Sequence, residues 1–196
     1  MALTLIKEDG SGKVDANSYA DAADGDAYFD GHLYATGWAA ASADDREKAL
    51  VMATRLIDSE FQFNGWKAND QQALQWPRER CQDPDKGLPV SVLLLPTGTY
   101  VDSNIVPKPV MDATCEMARE LLIADRTAAS EGEGLRSYLI TITNRSADGS
   151  GGGQTQSHVY DKTDTRPIIC KVAQAMLAKF GASIKSGSGA VRLVRS

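Results

Sequence analysis

Apolar residues recur at every third or fourth position along residues 44–61, and this spacing predicts an amphipathic helix. The apolar stripe consists of Leu50, Ala53, Leu56, Ile57 and Phe61. Ser42 stands where a capping side chain is needed, and Asp44 and Asp45 suit the positive end of the helix dipole. We expect this central helix to organise the rest of the chain.

Three further helices are predicted by the same spacing. The first runs from Asp21 to Asp30, with either Ser18 and Asp21 or Asp21 and Asp24 as its capping pair. The next opens at Pro107 and should pack against the central helix. The last opens at Asp164–Pro167 and stops at Gly181. The apolar faces of these last two helices are Val110, Thr114, Met117, Leu121 and Ala124, and Ile169, Val172, Ala173, Met176 and Phe180.

After the central helix, residues 61–80 form an aromatic stretch that ends in Trp76-Pro77-Arg78. Its aromatic residues are Phe61, Phe63, Trp66 and Trp76. Asn64-Gly65 predicts a turn, because both residue types tolerate positive φ. We interpret the stretch as a loop held by buried side chains rather than by regular pairing.

Specific contacts are expected inside this loop. Trp76 should pack under the central helix with Trp66 nearby, and Arg78 should pair with an acid such as Asp58. Trp38, between the first helix and the central one, should be buried and hold these two helices together.

Residues 2–6 predict a short strand, and residues 8–13 predict a turn. The latter is not a phosphate loop, because Lys7 and Val14 replace its glycine and its Ser or Thr.

Beyond residue 134 the period changes from helical to alternating. Residues 135–144 predict a strand with Tyr138, Ile140 and Ile142 on one face. A glycine-rich tip at 146–154 and a return strand carrying Val159 and Tyr160 complete a β-hairpin. The segment 182–196 cannot bury its apolar residues alone, so we expect it to fray or to extend onto a partner.

These elements predict a mainly α protein: a helical-bundle core with a β-hairpin insertion and an extended C-terminal arm. We expect a single domain, with the core at about residues 17–130 and 164–181, the hairpin at about 135–162, and the arm at about 182–196.

Composition and charge narrow the range of functions that this chain can have. The net charge is −5 and the sequence pI about 5.1, which argues against a general duplex-binding surface, since that needs clustered Lys and Arg. An acidic surface does suit a protein that DNA slides past without binding. The segment MALTLIKEDG turns acidic too early for a signal peptide, and no apolar run is long enough to span a membrane.

Candidate chemistry is sparse. Cys81, Cys115 and Cys170 have neither disulfide-framework nor zinc spacing, and reduced cysteines fit a cytoplasmic site of assembly. His32 and His158 have no Cys, Asp or Glu at triad or ligand spacing. Acidic residues 21–30 lack the calcium-loop pattern. We therefore expect no catalytic residues, no metal and no cofactor.

The strings ALVMATRLID, FNGWK and QALQWPR, in this order, resemble the head-to-tail adaptor (head completion) proteins of tailed bacteriophages. Some members of that group are described as DnaT-like single-stranded-DNA-binding proteins. The opening NSYADAADGDAYFDGH matches the family's first turn and helix. The resemblance covers residues 17–80 well and 107–126 more loosely, and no motif matches after residue 134.

The resemblance implies a structural virion protein at the neck. It would form a dodecameric ring under the portal, extend the DNA channel and contact a stopper or tail-completion protein, with double-stranded DNA passing through and no membrane involved. By position, the portal contact would be Ala190, Val191, Arg192, Leu193, Val194 and Arg195. The subunit or tail interface would be Tyr138, Ile140, Ile142, Val159 and Tyr160. The structural motif would be Trp66, Trp76, Pro77 and Arg78.

Two alternatives remain open. A single-stranded-DNA-binding module needs a basic groove with stacking aromatics. Here Trp38, Trp66, Trp76, Arg78 and Arg80 would supply it. A plain assembly factor of the host cytoplasm is the other alternative.

Overall fold

The computed structural model describes residues 3–86, 100–128 and 167–184 with their side chains, and 137–145 and 151–159 as backbone. The elements in chain order are α1 (Ala22–Phe29), α2 (Thr36–Ala40), α3 (Ala43–Glu60), β1 (Phe61–Phe63), β2 (Trp66–Lys67), β3 (Arg78–Glu79), α4 (Lys108–Ile123), β4 (Ser137–Arg145), β5 (Gly151–Val159), α5 (Lys171–Leu177) and β6 (Gly181–Ser183). The fold is helix-rich and mixed, with small two-stranded sheets, which agrees with the expectation of a mainly helical protein.

The first helix and the central helix begin at capping side chains. The Asp21 side chain accepts from the Asp24 N–H, and the Asp24 side chain accepts in return, which selects this pair over the one starting at Ser18. At α3 the Ser42 hydroxyl accepts from the Asp45 N–H, as predicted. The sequence thus predicted the start of α3, and the structure decided between the two starts that the sequence allowed for α1.

Helices α3 and α4 pack against each other, as predicted, and their apolar stripes form the centre of the core. Leu50, Ala53 and Ile57 of α3 are 0% exposed, as are Val110 and Met117 of α4. Burying each large apolar side chain contributes roughly 1.5–3 kcal/mol, so this contact dominates the stability of the core.

Glu116 of α4 is only 1% exposed, although it is not part of the predicted apolar face of this helix. Its carboxylate accepts from the Tyr28 hydroxyl at 3.0 Å and from Arg119 Nε at 3.1 Å, and lies 3.3 Å from His32 Nε2. A buried carboxylate is tolerated when it is paired and hydrogen-bonded. This cluster therefore joins α1 and its following turn to α4.

The last helix is shorter than predicted. It runs from Lys171 to Leu177 with Cys170 as its N-cap, so Ile169 precedes the helix and Phe180 follows it. Val172 is 47% exposed, whereas Leu177 is fully buried, so the predicted stripe is wrong at that position. Most of the predicted start, residues 164–166, lies outside the described residues.

Gly181 does not simply end a helix but begins β6, which pairs antiparallel with β1. A Cβ on Gly181 would lie 2.2 Å from the Gln62 carbonyl oxygen, so the two strands can approach only because this residue is glycine. Ala182 and Ser183, where the predicted arm begins, are therefore paired with β1, and residues 185–196 lie outside the described residues.

The N-terminal strand expected at residues 2–6 is absent from described residues 3–6, and residues 8–13 close around the carboxylate of Glu8. The N–H groups of Gly10, Gly12 and Lys13 donate to it at 2.9, 2.9 and 2.8 Å. The backbone donors of this glycine-containing turn thus bind an internal anion.

Residues 127–167 form a compact unit separate from the helical one. Its strands β4 and β5 pair antiparallel from Ser137↔Val159 to Arg145↔Gly151. Gly151 to Gly153, which the sequence places in the tip, lie inside β5. The side chains of this ribbon, including Tyr138, and the whole of Tyr160 lie outside the described residues.

Trp38 is buried, as predicted: it is 2% exposed and lies against Gly25 of α1. Its Nε1 donates to Asp26 at 2.8 Å, and the Arg46 guanidinium lies 5.3 Å from the ring centroid. The indole is therefore held from two sides and cannot move freely away from α1.

We predict that Gly25→Ala destabilises the protein by about 1–3 kcal/mol, because its Cβ would lie 2.3 Å from Cζ2 of Trp38. Gly31→Ala is the matched control, since nothing lies within 4 Å of a Cβ there. Urea unfolding of both variants measures the difference. Equal stability of the two would contradict the close packing of α1 on Trp38.

Candidate functional site

The candidate site is the loop of residues 61–80, which the structure builds around the buried side chain of Arg78. Arg78 is 3% exposed, and its five hydrogen bonds go to carbonyl oxygens. The acceptors are the backbone oxygens of Phe63, Asn64, Gly65 and Gln75, at 2.7–3.3 Å, and Oε1 of Gln75 at 2.9 Å. A guanidinium has five N–H donors, so all of them are used.

The expected hydrogen-bonded pair between Arg78 and Asp58 is therefore wrong. Asp58 instead accepts from the Tyr19 hydroxyl at 2.5 Å and from the Gln75 N–H at 3.0 Å. Carbonyl oxygens of a tight loop satisfy a planar guanidinium more completely than one carboxylate can, because they surround it. Sequence spacing carries no signal for this choice, since the acceptors are backbone atoms.

Tyr19 is fully buried and links three segments through its hydroxyl. The hydroxyl donates to Asp58 and accepts from the N–H groups of Gln75 and Trp76, at 3.1 and 3.2 Å. Burial, followed by the nearby Asp58 charge, raises the pKa of Tyr19 well above its ordinary value. Tyr19 is a site residue that the sequence did not reveal, because 39 positions separate it from Asp58. Asp58 was expected at the site, but with Arg78 as its partner.

Trp76 and Pro77 lie in the core beneath the loop. Trp76 is 0% exposed, and its ring packs edge-on against Phe63 and Phe180, with centroids 5.6 and 5.7 Å apart. Its Nε1 has no hydrogen-bond partner among the described residues, so the contacts seen for this ring there are packing contacts. The Trp76–Pro77 peptide bond is cis.

The loop also contains regular pairing, contrary to expectation. Strands β2 and β3 pair antiparallel, with Trp66 opposite Glu79 and Lys67 opposite Arg78. A Cβ on Gly65 would lie 2.1 Å from the Glu79 carbonyl oxygen, and Gly65 has φ 73°. Glycine at position 65 thus permits both the turn and the close strands, as the Asn-Gly signal indicates.

Trp66 does not join the buried aromatics but is 53% exposed. Its Nε1 donates to Glu79 Oε2 at 3.1 Å, and the Arg80 guanidinium carbon lies 5.5 Å from the ring centroid. The surface of this loop is therefore an indole beside a cation. Of the five residues considered for a stacking groove, Trp38, Trp76 and Arg78 are buried. Trp66 and Arg80 remain exposed.

Other chemistry is limited in the described residues. The three cysteines are free and buried, and no group of three metal-ligating side chains is found there.

An open groove of about 520 Å³ lies between α2, α3 and α4, with Met52, Leu121 and Leu122 among its lining residues. No helix in the described ranges is long and apolar enough to cross a membrane. The proposed portal contact at 190–195 lies outside the described residues.

These features define a helix-rich protein that presents one exposed tryptophan–arginine pair on a rigid loop. Over residues 3–196 the sequence matches the family described as "Putative DnaT-like ssDNA binding protein", and the chain belongs to that family. No curated protein and no solved structure matches it.

The titration of Asp58 gives a test of the site's internal network. Burial raises the pKa of Asp58 to about 6, and hydrogen bonds from Tyr19 and Gln75 oppose this only in part. Between the ordinary pKa of 3.8 and about 6, the folded protein therefore holds a proton that the unfolded chain has released. Stability from this group is greatest at low pH and is lost as the pH rises through that range.

We predict that the stability of the wild type relative to Asp58→Asn falls as the pH rises from about 4 to 6, by at most about 3 kcal/mol, and is level above that. Urea unfolding at several pH values measures this. Asp70→Asn, on the exposed surface, controls for a general change of charge. A relative stability that rises with pH would mean that the folded state favours the ionised carboxylate.

Proposed function

We propose that this protein is a structural virion protein: a head-to-tail adaptor that forms a ring under the portal, extends the DNA channel and joins capsid to tail. The observation that carries the proposal is the ribbon of β4 and β5, with nine residues in each strand. In this role the side chains position other proteins, and the protein needs no cofactor and performs no catalysis.

A two-stranded ribbon has no interior, because each of its residues faces one of two open sides. Such ribbons are marginally stable at best in water when nothing covers them. Within the described residues β4 and β5 form a two-stranded sheet, and the sequence alternates along β4 with Tyr138, Ile140 and Ile142 on one side. A neighbouring subunit or tail protein that covers this side would complete it, as strand-mediated assembly does elsewhere.

The C-terminal arm is the second element of the proposal. The last described residue is Ile184, whose N–H donates to the Glu60 carbonyl oxygen at 2.9 Å. The twelve residues that follow, 185–196, combine apolar positions with Arg192 and Arg195. An apolar and basic segment of this length suits an extended contact with an acidic or apolar groove, and we assign it to the portal.

Charge and resemblance support the same reading. The resemblance of residues 17–80 to adaptor proteins includes the loop that Arg78 organises. With a net charge of −5, the protein avoids the phosphate attraction that would hold DNA in a channel. The proposed partners are other copies of this chain, the portal, and the stopper or tail-completion protein, at the neck of the virion.

We predict that a double variant, Ile140→Ser with Ile142→Ser, loses the ring-sized complex with purified portal protein of the same virus, because it removes the apolar side of the ribbon. Mass measurement of the protein, alone and with portal, gives the result. The matched control is Thr141→Ser with Thr143→Ser on the alternate side. A ring that forms equally with both variants would contradict a role for this side of the ribbon.

A chain truncated after Ile184 tests the arm separately. It keeps β6 and the β1 pairing, which a truncation after Gly181 would remove. The truncated protein should stay folded by circular dichroism and lose binding to the portal. Full portal binding by the truncated chain would refute the assignment of residues 190–195.

A single-stranded-DNA-binding module is the second candidate function, and the exposed pair of Trp66 and Arg80 is the observation that favours it, together with the family match. Aromatic side chains stack on unpaired bases of any sequence, and cations attract the backbone. We predict binding to a labelled oligonucleotide of thymidines at low salt that weakens steeply as salt rises. Absence of binding at low salt would exclude this candidate.

A further inference from the structure

Trp66 differs from the other two tryptophans of this chain in being exposed. Trp38 and Trp76 are 2% and 0% exposed, whereas Trp66 is 53% exposed. Leaving half of an indole in water forgoes much of the stabilisation that burial of this side chain provides. Core packing therefore accounts for Trp38 and Trp76 but not for Trp66.

The exposed indole is held in one orientation. Its Nε1 donates to Glu79 Oε2 at 3.1 Å, across the β2–β3 pair in which these two residues lie opposite each other. The Arg80 guanidinium lies 5.5 Å from the ring centroid, within the range of a cation–π contact. A ring fixed by an edge hydrogen bond and a neighbouring cation loses little further freedom when a ligand stacks on it.

Arg80 adopts a backbone conformation that disfavours its own side chain. Its φ is 53°, in the left-handed region, where residues with a Cβ are strained. A glycine would make the same turn without that strain. The arginine at this position thus brings a cation to Trp66 at a conformational cost, and residues held in such conformations cluster at binding sites.

The platform beneath this pair is rigid. Arg78, two residues before Arg80, binds the carbonyl oxygens of Phe63, Asn64 and Gly65, which immediately precede Trp66. The segment that leads into β2 is therefore bound to the side chain of the first residue of β3. Trp66 and Arg80 keep their separation because the backbone that carries them cannot spread.

We propose that Trp66 and Arg80 form a stacking site for one unpaired base of single-stranded nucleic acid, an inference that rests on the second candidate function above. The base stacks on the exposed part of the indole, and the Arg80 guanidinium contacts the adjoining phosphate. The Glu79 carboxylate lies at the Nε1 edge of the ring, so the strand passes on the Arg80 side. The site holds one base without reading its identity, because every base presents a π-face.

The test uses the full-length protein and an oligonucleotide of thymidines that carries a fluorescent label. Trp66→Ala should weaken binding measured by anisotropy roughly 5- to 100-fold, the usual range for loss of one aromatic stack. The oligonucleotide should quench the tryptophan emission of the wild type and leave that of Trp66→Phe unquenched, since the remaining two tryptophans are buried.

Matched variants separate stacking from general surface effects. Arg80→Gly suits the left-handed backbone, so the fold is retained while the guanidinium is lost, and binding should weaken several-fold. Arg55→Ala removes the same charge from the exposed surface of α3, and Tyr34→Ala removes an aromatic ring that is 75% exposed. Neither control should change affinity by more than about twofold, because neither residue belongs to the pair.

Two results overturn the proposal, and they differ in what they leave standing. If the wild type binds and Trp66→Ala binds equally well, the stacking site is wrong while the DNA-binding function stands. If the wild type does not bind at low salt, the stacking site and the second candidate function fail together. A loss that Tyr34→Ala reproduces also counts against the site, because it shows a general effect of surface aromatics.

Discussion

The buried guanidinium of Arg78 is the interaction on which the arrangement of this protein's loop depends. It lies where the chain leaving β1 turns back, and its five donors bind carbonyl oxygens from two segments of that loop. Burial lowers the pKa of Arg78 from its ordinary value, yet a guanidinium keeps its proton in any protein environment. Because the guanidinium stays protonated, its buried N–H groups need acceptors, and the loop supplies these as carbonyl oxygens that converge on it. The loop therefore has one geometry.

Other buried polar groups of the core are also hydrogen-bonded to one another. The Tyr19 hydroxyl joins the segment before α1 to Asp58 of α3 and to the backbone N–H groups of Gln75 and Trp76. Glu116 plays the same part between α1 and α4 through Tyr28 and Arg119. Buried polar networks of this kind specify a single packing, because any other arrangement leaves a charge or donor unpaired. The helical core is thus a fixed scaffold, and it presents Trp66 and Arg80 at its surface.

Two features of the chain favour different functions. The exposed Trp66 and Arg80 suit contact with an unpaired base. The ribbon of β4 and β5 and the segment after Ile184 suit contact with other proteins. An acidic chain can hold both, because a single cation beside one indole acts locally while the net charge repels extended DNA. The assembly role rests on the larger part of the chain, and for this reason we place it first.

The sequence by itself determined the local elements: the cap at Ser42, the apolar faces of α3 and α4, the strand alternation after residue 135 and the turn at Gly65. For α1 it offered two capping pairs, and the structure selected Asp21 with Asp24. Each of these follows from the chemistry of neighbouring residues, so a short window contains the cause. Tertiary structure alone decided that Arg78 binds carbonyls rather than Asp58, that Glu116 is buried, that Gly181 opens a strand and that Trp66 is exposed. These outcomes depend on which atoms converge in the folded core, because buried hydrogen bonds are satisfied between segments that the sequence does not place together. Gly65 and Arg78 are 13 positions apart in the chain, and Tyr28 and Glu116 are 88 positions apart.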